Sequence, residues 1–225
     1  MNIGIKDVLF KIRWFFIPYL LVLCACFTIK FLYTRPEIYF WINGRYSAFG
    51  DFIMPYLTDL GNGLSTVLIT LVILLFSYRK ALLMGTTYAL VSGIIVQVVK
   101  FIFDAPRPTL YFKDQLSRIH LVQGVEMLKL HSFPSGHTAT AFASTVVITY
   151  WCKNKGWGLP LLIVAMSVAY SRMYMSEHFF EDVTGGSAIG VICTVLWIAW
   201  FDNLKFMQSP KWNRGLLKLT WGIKL

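Results

Sequence analysis

Charge is scarce in this chain. Asp, Glu, Lys and Arg make up only 14% of the 225 residues, and the 11 acids are outnumbered by 21 bases. Soluble domains devote about a quarter of their residues to charge, so a water-soluble globule is excluded. Cysteine is as sparse, with Cys24, Cys26, Cys152 and Cys193 all inside or at the edge of apolar stretches. No disulfide framework or metal spacing is visible among them, and they read as small unpaired hydrophobes. The short alternation of apolar and polar residues that a transmembrane barrel needs is missing. So are internal repeats and low-complexity segments.

Apolar residues are abundant instead: 56% of the chain is hydrophobic and its mean hydropathy is +0.60. Several windows reach the roughly 18–20 apolar residues that cross a bilayer. The fold class expected is all-α, a polytopic membrane protein forming one domain over 1–225. Six spans are predicted, at about 14–33, 63–78, 81–103, 136–152, 158–175 and 182–201. The fourth and fifth are joined only by "KNKG", which implies a tight hairpin. "LCAC" at 23–26 has a faint likeness to a lipoprotein cleavage site, but an uncleaved first span is expected.

The net charge of +10 follows membrane topology and does not point to nucleic acid. Lys6, Lys11 and Arg13 precede the first span, Arg79 and Lys80 follow the second, and Lys153 and Lys155 follow the fourth. Lys205, Lys211, Arg214, Lys218 and Lys224 follow the sixth. These segments fall on one side, so both termini are predicted to be cytoplasmic and loops 34–62 and 104–135 external. Segment 36–56, with a turn at Asn43-Gly44, is expected in the interface. Residues 205–225 are expected as a basic cytoplasmic interfacial tail, in which "KWNRGLLKLTWGIKL" (211–225) has the Trp-containing character of an interfacial helix. Gly186 and Gly190 read as a helix-packing pair.

This orientation gathers ionisable residues at one membrane face. Lys100 and Arg107 fall at the outer end of span three, Ser135, Gly136 and His137 open span four, Arg172 ends span five, and His178 and Asp182 lead into span six. Lys100 alone could be a lysine snorkelling to the interface, but three cations converging there suit a phosphate, which arginine grips through paired hydrogen bonds. Pro106 and Pro108 are expected to end the helix and turn Arg107 back over it. Ser135 is a candidate N-cap, Gly136 allows close approach, and the first N–H groups of the helix face an anion. His178 and Asp182 are spaced i, i+4, so the carboxylate can hold the imidazole while its other nitrogen acts as nucleophile. His137 is placed to serve as acid and then base. His120, His131, Glu126, Glu177 and Glu181 are expected to be ordinary loop or interfacial residues.

"KFIFDAPRP" (100–108), "PSGH" (134–137) and "SRMYMSEHFFED" (171–182) resemble the three signature motifs of the type 2 phosphatidic acid phosphatase and vanadium haloperoxidase superfamily, in order. The resemblance covers about 43–200 and points to the membrane-bound bacterial lipid phosphatase branch. It implies phosphate binding by Lys100, Arg107, Ser135, Gly136 and Arg172, attack by His178 oriented by Asp182, and proton transfer by His137. No metal or other cofactor is implied. The expected activity is hydrolysis of a terminal phosphate on a phospholipid, polyprenyl (di)phosphate or lipid A-type substrate, through a phosphohistidine, at the periplasmic face of an inner membrane. A lipid phosphotransferase using the same intermediate, or a lipid-phosphate binder or transporter, are the alternatives. The partners expected are that lipid substrate and membrane lipids, with no nucleic acid.

Overall fold

The structure is a computed structural model that describes residues 3–219. The described residues are helical throughout, with 76% in helix and no strand. In chain order the helices are α1 (Ile5–Lys11), α2 (Arg13–Leu32), α3 (Arg35–Asn43), α4 (Ala48–Asp59), α5 (Gly63–Phe76) and α6 (Tyr78–Tyr88). A π-helical segment, Ala89–Ile95, joins α6 to α7 (Val96–Phe103), and α8 (Pro108–Tyr111) follows. The last three are α9 (Gly136–Trp151), α10 (Gly158–Tyr174) and α11 (Phe180–Phe201).

By length and apolarity, α2, the bent stretch Tyr78–Tyr111 and α11 can cross a membrane. The pair formed by α4 and α5, bent by 51°, makes a fourth candidate. Helices α9 and α10 have 16 and 17 residues, just short of the 18 that define such a span. The second predicted span, 63–78, coincides with α5. Segment 48–59, most of it within the stretch 36–56 expected in the interface, is helical and runs into α5 at the bend. Asn62 makes the junction possible by capping α5, its side chain accepting from Leu64 N at 3.2 Å.

Helix α9 is the centre of the bundle, packed by α10 and α11, and 12 of its 16 residues are buried. Ala139, Ala141, Ala143 and Ser144 let the neighbouring backbones approach closely. Its threonines satisfy themselves locally, as where Thr145 and Thr149 donate to carbonyls four residues back at 2.8 and 2.7 Å. A Cβ added at Gly190 would lie 2.7 Å from the Ala139 carbonyl, and one at Gly186 would lie 2.6 Å from that of Ser135. The glycine pair thus packs α11 on α9, as the spacing predicts. Opposite, Tyr19 of α2 meets Phe142 with ring centroids 5.6 Å apart.

At the end away from the candidate site, Asn203 bonds both the amide and the carbonyl of Ile3, at 2.9 and 2.8 Å. The N-terminal end of the described residues therefore meets the chain just after α11. In the described part of 211–225, expected as an interfacial helix, the chain does not run as one continuous helix. Residues 205–219 form three short 3₁₀ turns, because Pro210 cannot continue a helix and Gly215 is pressed against the backbone of Leu75 and Phe76. Residues 220–225 of that tail lie outside the described residues.

Candidate active site

The π-helical segment sets the register of the first cation. Ser92, inside it, shares a 2.7 Å hydrogen bond with Thr140 of α9. Gln97 donates to the Ser92 carbonyl at 3.0 Å, five residues back. Such bulges recur at functional sites because they re-aim the helix that follows, and here α7 carries Lys100 in its last turn. The helix stops at Phe103 with Asp104 left-handed (φ 36°). The chain then runs extended to Arg107, which precedes α8 and is only 4% exposed. It returns as the sequence reading expects. Its Nε donates to the Leu130 carbonyl at 3.0 Å, and its backbone N–H to that of Lys129 at 2.8 Å.

Ser135 stands at the N-cap position of α9 but makes no capping bond. Its Oγ accepts from Thr138 Oγ1 at 3.0 Å, and its N–H donates to the Asp182 carbonyl at 2.9 Å, tying α9 to α11. A Cβ at Gly136 would meet Lys100 Nζ at 3.8 Å, so the lysine head hangs over the start of α9. First-turn amides have no intrahelical partners, which leaves those of Gly136 and His137 free to bind an anion beneath that lysine.

Arg172, in the last turn of α10, is 7% exposed. It donates through Nη1 to Thr58 of α4 at 3.1 Å and through Nη2 to Glu177 at 3.1 Å. The chain then wraps around the Arg172 carbonyl, which accepts from the Glu177 and His178 amides at 3.1 and 3.2 Å. This wrap forces Ser176 to φ 60°, a costly conformation for a side-chain-bearing residue. Tyr39 and Asn43 of α3 hold it there, donating to Ser176 Oγ at 2.8 and 3.0 Å.

His178 is 1% exposed. Burial, and then the charges of Arg172, Arg107 and Lys100, hold its pKa well below the ordinary histidine value, so the imidazole is neutral. Its Nδ1 is 3.5 Å from Asp182 Oδ2 and makes no hydrogen bond there. Catalytic contacts commonly tighten only when substrate is bound. Asp182 is anchored independently, its Oδ2 accepting from Ser132 Oγ at 2.5 Å and from Phe179 N at 2.8 Å.

Lys100, Arg107, His137, Arg172, His178 and Asp182 thus lie in mutual electrostatic range at one end of the bundle. A cleft of about 450 Å³ reaches Lys100 and Arg107 past Gln97, Lys129 and His131. Among the described residues no group of three or more His, Cys, Asp or Glu has the arrangement of a metal site.

One expectation fails, and two loop or interfacial residues have specific partners. Glu177 is no solvated residue: it is 3% exposed and bridges Arg107 and Arg172. Glu181 binds Lys30 and Arg35. His120 stacks on Tyr46 with centroids 3.9 Å apart and meets Asp51 at 2.8 Å. His131, half exposed, does behave as a loop residue. Ser132, Thr58, Ser176 and Glu177 were missed as site residues. Only Glu177 left a signal, an acid set between Arg172 and His178 in an otherwise apolar region.

The PAP2 superfamily model matches residues 80–206, more than half of the chain. Undecaprenyl-diphosphatase BcrC of Bacillus subtilis is 26% identical over 174 residues, spanning 75% of this chain and 85% of that protein. The lipid A 1-phosphatase of Porphyromonas gingivalis is 32% identical over 94 residues, 41% of this chain and 21% of its own. The crystal structure of Aquifex aeolicus LpxE superposes with a TM-score of 0.65 at 26% identity, covering 74% of this chain and 95% of that one. A phosphatidylglycerolphosphate phosphatase from Bacillus subtilis, at 22% identity, shares the fold with a TM-score of 0.61 over 87% and 98% of the two chains. The extent of the family match, over the same helices that carry the cations and histidines, makes the chain a member of the PAP2 superfamily.

Proposed function

We propose that the chain is an integral-membrane lipid phosphatase that works through a phosphohistidine. The observation that carries this is a buried, neutral His178 beside an anchored Asp182 and facing three cations. Lys100, Arg107, Arg172 and the Gly136 amide hold the equatorial oxygens of the phosphoryl group, where charge builds up in the transition state. His178 Nε2 attacks phosphorus and the phosphorus–oxygen bond to the leaving group breaks. His137 protonates the departing oxygen. It then takes a proton from water, whose oxygen attacks the phosphohistidine and releases inorganic phosphate and free His178. Asp182 Oδ2 fixes the tautomer by accepting a hydrogen bond from Nδ1–H once the 3.5 Å gap closes.

Counting the pair α4–α5 and the stretch from α6 to α7 as single crossings, and adding α2, α9, α10 and α11, gives six spans. An even number agrees with the meeting of Ile3 and Asn203. The basic residues at that end support a cytoplasmic position for it, with the site at the external face of a bacterial inner membrane. The printed names of the relatives, undecaprenyl-diphosphatase and lipid A 1-phosphatase, support polyprenyl diphosphates and lipid A-type phosphates as substrates, ahead of simple phospholipids.

The test is phosphate release by detergent-purified protein from a panel of lipid phosphates in excess EDTA, alongside His178→Ala. Release that survives EDTA and is lost in the variant is expected. Equal release by both proteins would remove His178 as nucleophile. Passage of labelled phosphate to a second lipid would make the protein a transferase.

A further inference from the structure

One buried charged group of the site has no part in that reaction. Glu177 lies between two of the three cations, and both arginines converge on a single oxygen, Oε2: Arg107 through Nη1 and Arg172 through Nη2. Its other oxygen, Oε1, is buried without a hydrogen-bond partner, and so is Arg172 Nε. A carboxylate set there only to stabilise the arginines would engage both oxygens in the two-pronged geometry that makes such pairs strong. Leaving a buried acceptor and a buried cationic donor unpaired costs desolvation energy. The carboxylate holds the anion site incompletely.

We propose that Glu177 is an internal counter-anion of the phosphate cradle, whose carboxylate competes with the phosphoryl group for Arg107 and Arg172. It weakens the grip on inorganic phosphate and so speeds product release. The inference rests on the phosphatase reading above and concerns how tightly that site binds.

The charge balance supports it. Lys100, Arg107 and Arg172 face Glu177 and Asp182, which leaves one net positive charge among these five side chains. Without Glu177 the cradle would match the two charges of a phosphate dianion, in a setting where Coulomb attraction is far stronger than in water. A product held that tightly limits turnover. The local backbone also allows the exchange. The Glu177 amide stays on the Arg172 carbonyl, and Arg107 Nη1 also donates to the Glu177 carbonyl at 3.3 Å. Rotation of the Glu177 side chain alone can therefore free the guanidiniums, leaving His178 in place.

The experiment is calorimetric titration of inorganic phosphate into detergent-purified wild type, Glu177→Asp and Glu177→Gln, with lipid-phosphate turnover measured on the same preparations. Asp keeps the charge but shortens the reach, loosening the bridge; Gln keeps the size and removes the charge. Phosphate Kd is expected to fall from wild type through Asp to Gln, by about tenfold or more at Gln, with KM and kcat both falling. A Kd that is unchanged or rises along the series overturns the proposal and leaves Glu177 as a residue that only positions the arginines. Should Glu177→Gln fail to fold, the sign of the Asp-to-wild-type difference decides alone. A wild type that neither binds phosphate nor releases it from any lipid phosphate would instead overturn the phosphatase reading, and this inference with it.

Discussion

Ser132 donates its hydroxyl to Asp182 Oδ2 at 2.5 Å, joining the loop ahead of α9 to the first turn of α11. The same oxygen accepts the Phe179 amide and faces His178 Nδ1. Ser132 therefore fixes the carboxylate of Asp182, which the proposed mechanism uses to orient His178. Ser132→Ala removes one buried hydrogen bond to a charged acceptor, at a cost of about 1.5–3 kcal/mol. The expected result is a fall in kcat of roughly tenfold or more, with KM little changed. An unchanged kcat in a folded variant would show that Asp182 does not need this anchor.

The depressed pKa of His178 sets a pH dependence whose sign follows from linkage. Above the unfolded histidine value of about 6.5, the residue is neutral in both states and contributes no pH dependence. Below that value the unfolded chain binds a proton that the folded site resists, so stability falls as pH falls. The folding equilibrium loses up to about tenfold per pH unit from this residue until its folded pKa is reached. Thermal midpoints in detergent should drop more steeply between pH 7 and 5 for wild type than for His178→Asn. Parallel slopes would mean that the buried imidazole does not resist protonation.

Arg172→Lys tests the guanidinium geometry. Arg172 spends one donor on Thr58 and one on Glu177, while Nε stays unpartnered. A lysine keeps the charge but cannot place donors in three directions of one plane. A fall in kcat/KM of roughly 10–100-fold is expected, the worth of one charged hydrogen bond or more. Full activity in the lysine variant would reduce the role of Arg172 to a point charge.

Gly186 and Gly93 give opposite expectations. A Cβ at Gly186 would sit 2.6 Å from the Ser135 carbonyl, at the start of α9, whereas one at Gly93 meets nothing within 4 Å. Gly186→Ala must push α11 from α9 at a cost of about 1–3 kcal/mol and should lower both thermal midpoint and activity. Gly93→Ala should leave both unchanged or raise the midpoint. Equal behaviour of the two would show that the α9–α11 contact tolerates a methyl group.

Much of the site was legible in the chain because membrane proteins rarely keep a charge near a span without using it. Lys100, Arg107, Arg172, His178 and Asp182 are conspicuous against apolar neighbours. Apolar helices were visible because length and hydropathy are local properties, and five of the predicted segments lie within a few residues of α2, α5, α9, α10 and α11. The small-residue pair Gly186 and Gly190 was readable for the same reason, since an i, i+4 spacing marks one helix face.

What the amino-acid order could not reveal were relationships between segments far apart in it. Glu177 looks like an interfacial acid until the fold brings Arg107, 70 residues earlier in the chain, against it. Ser132 is one serine among several until α9 and α11 pack, and the anchoring of Ser176 needs α3 to lie beside the turn after α10. The bend between α4 and α5 and the π-helical segment ahead of Lys100 also escaped notice, since hydropathy registers composition but not helical register. The sequence by itself determined which residues are too costly to bury without purpose and which segments are apolar enough for lipid. Tertiary structure alone decided which of those costly charges neutralise one another, because Coulomb and hydrogen-bond energies depend on distances of a few ångströms that no spacing along the chain encodes.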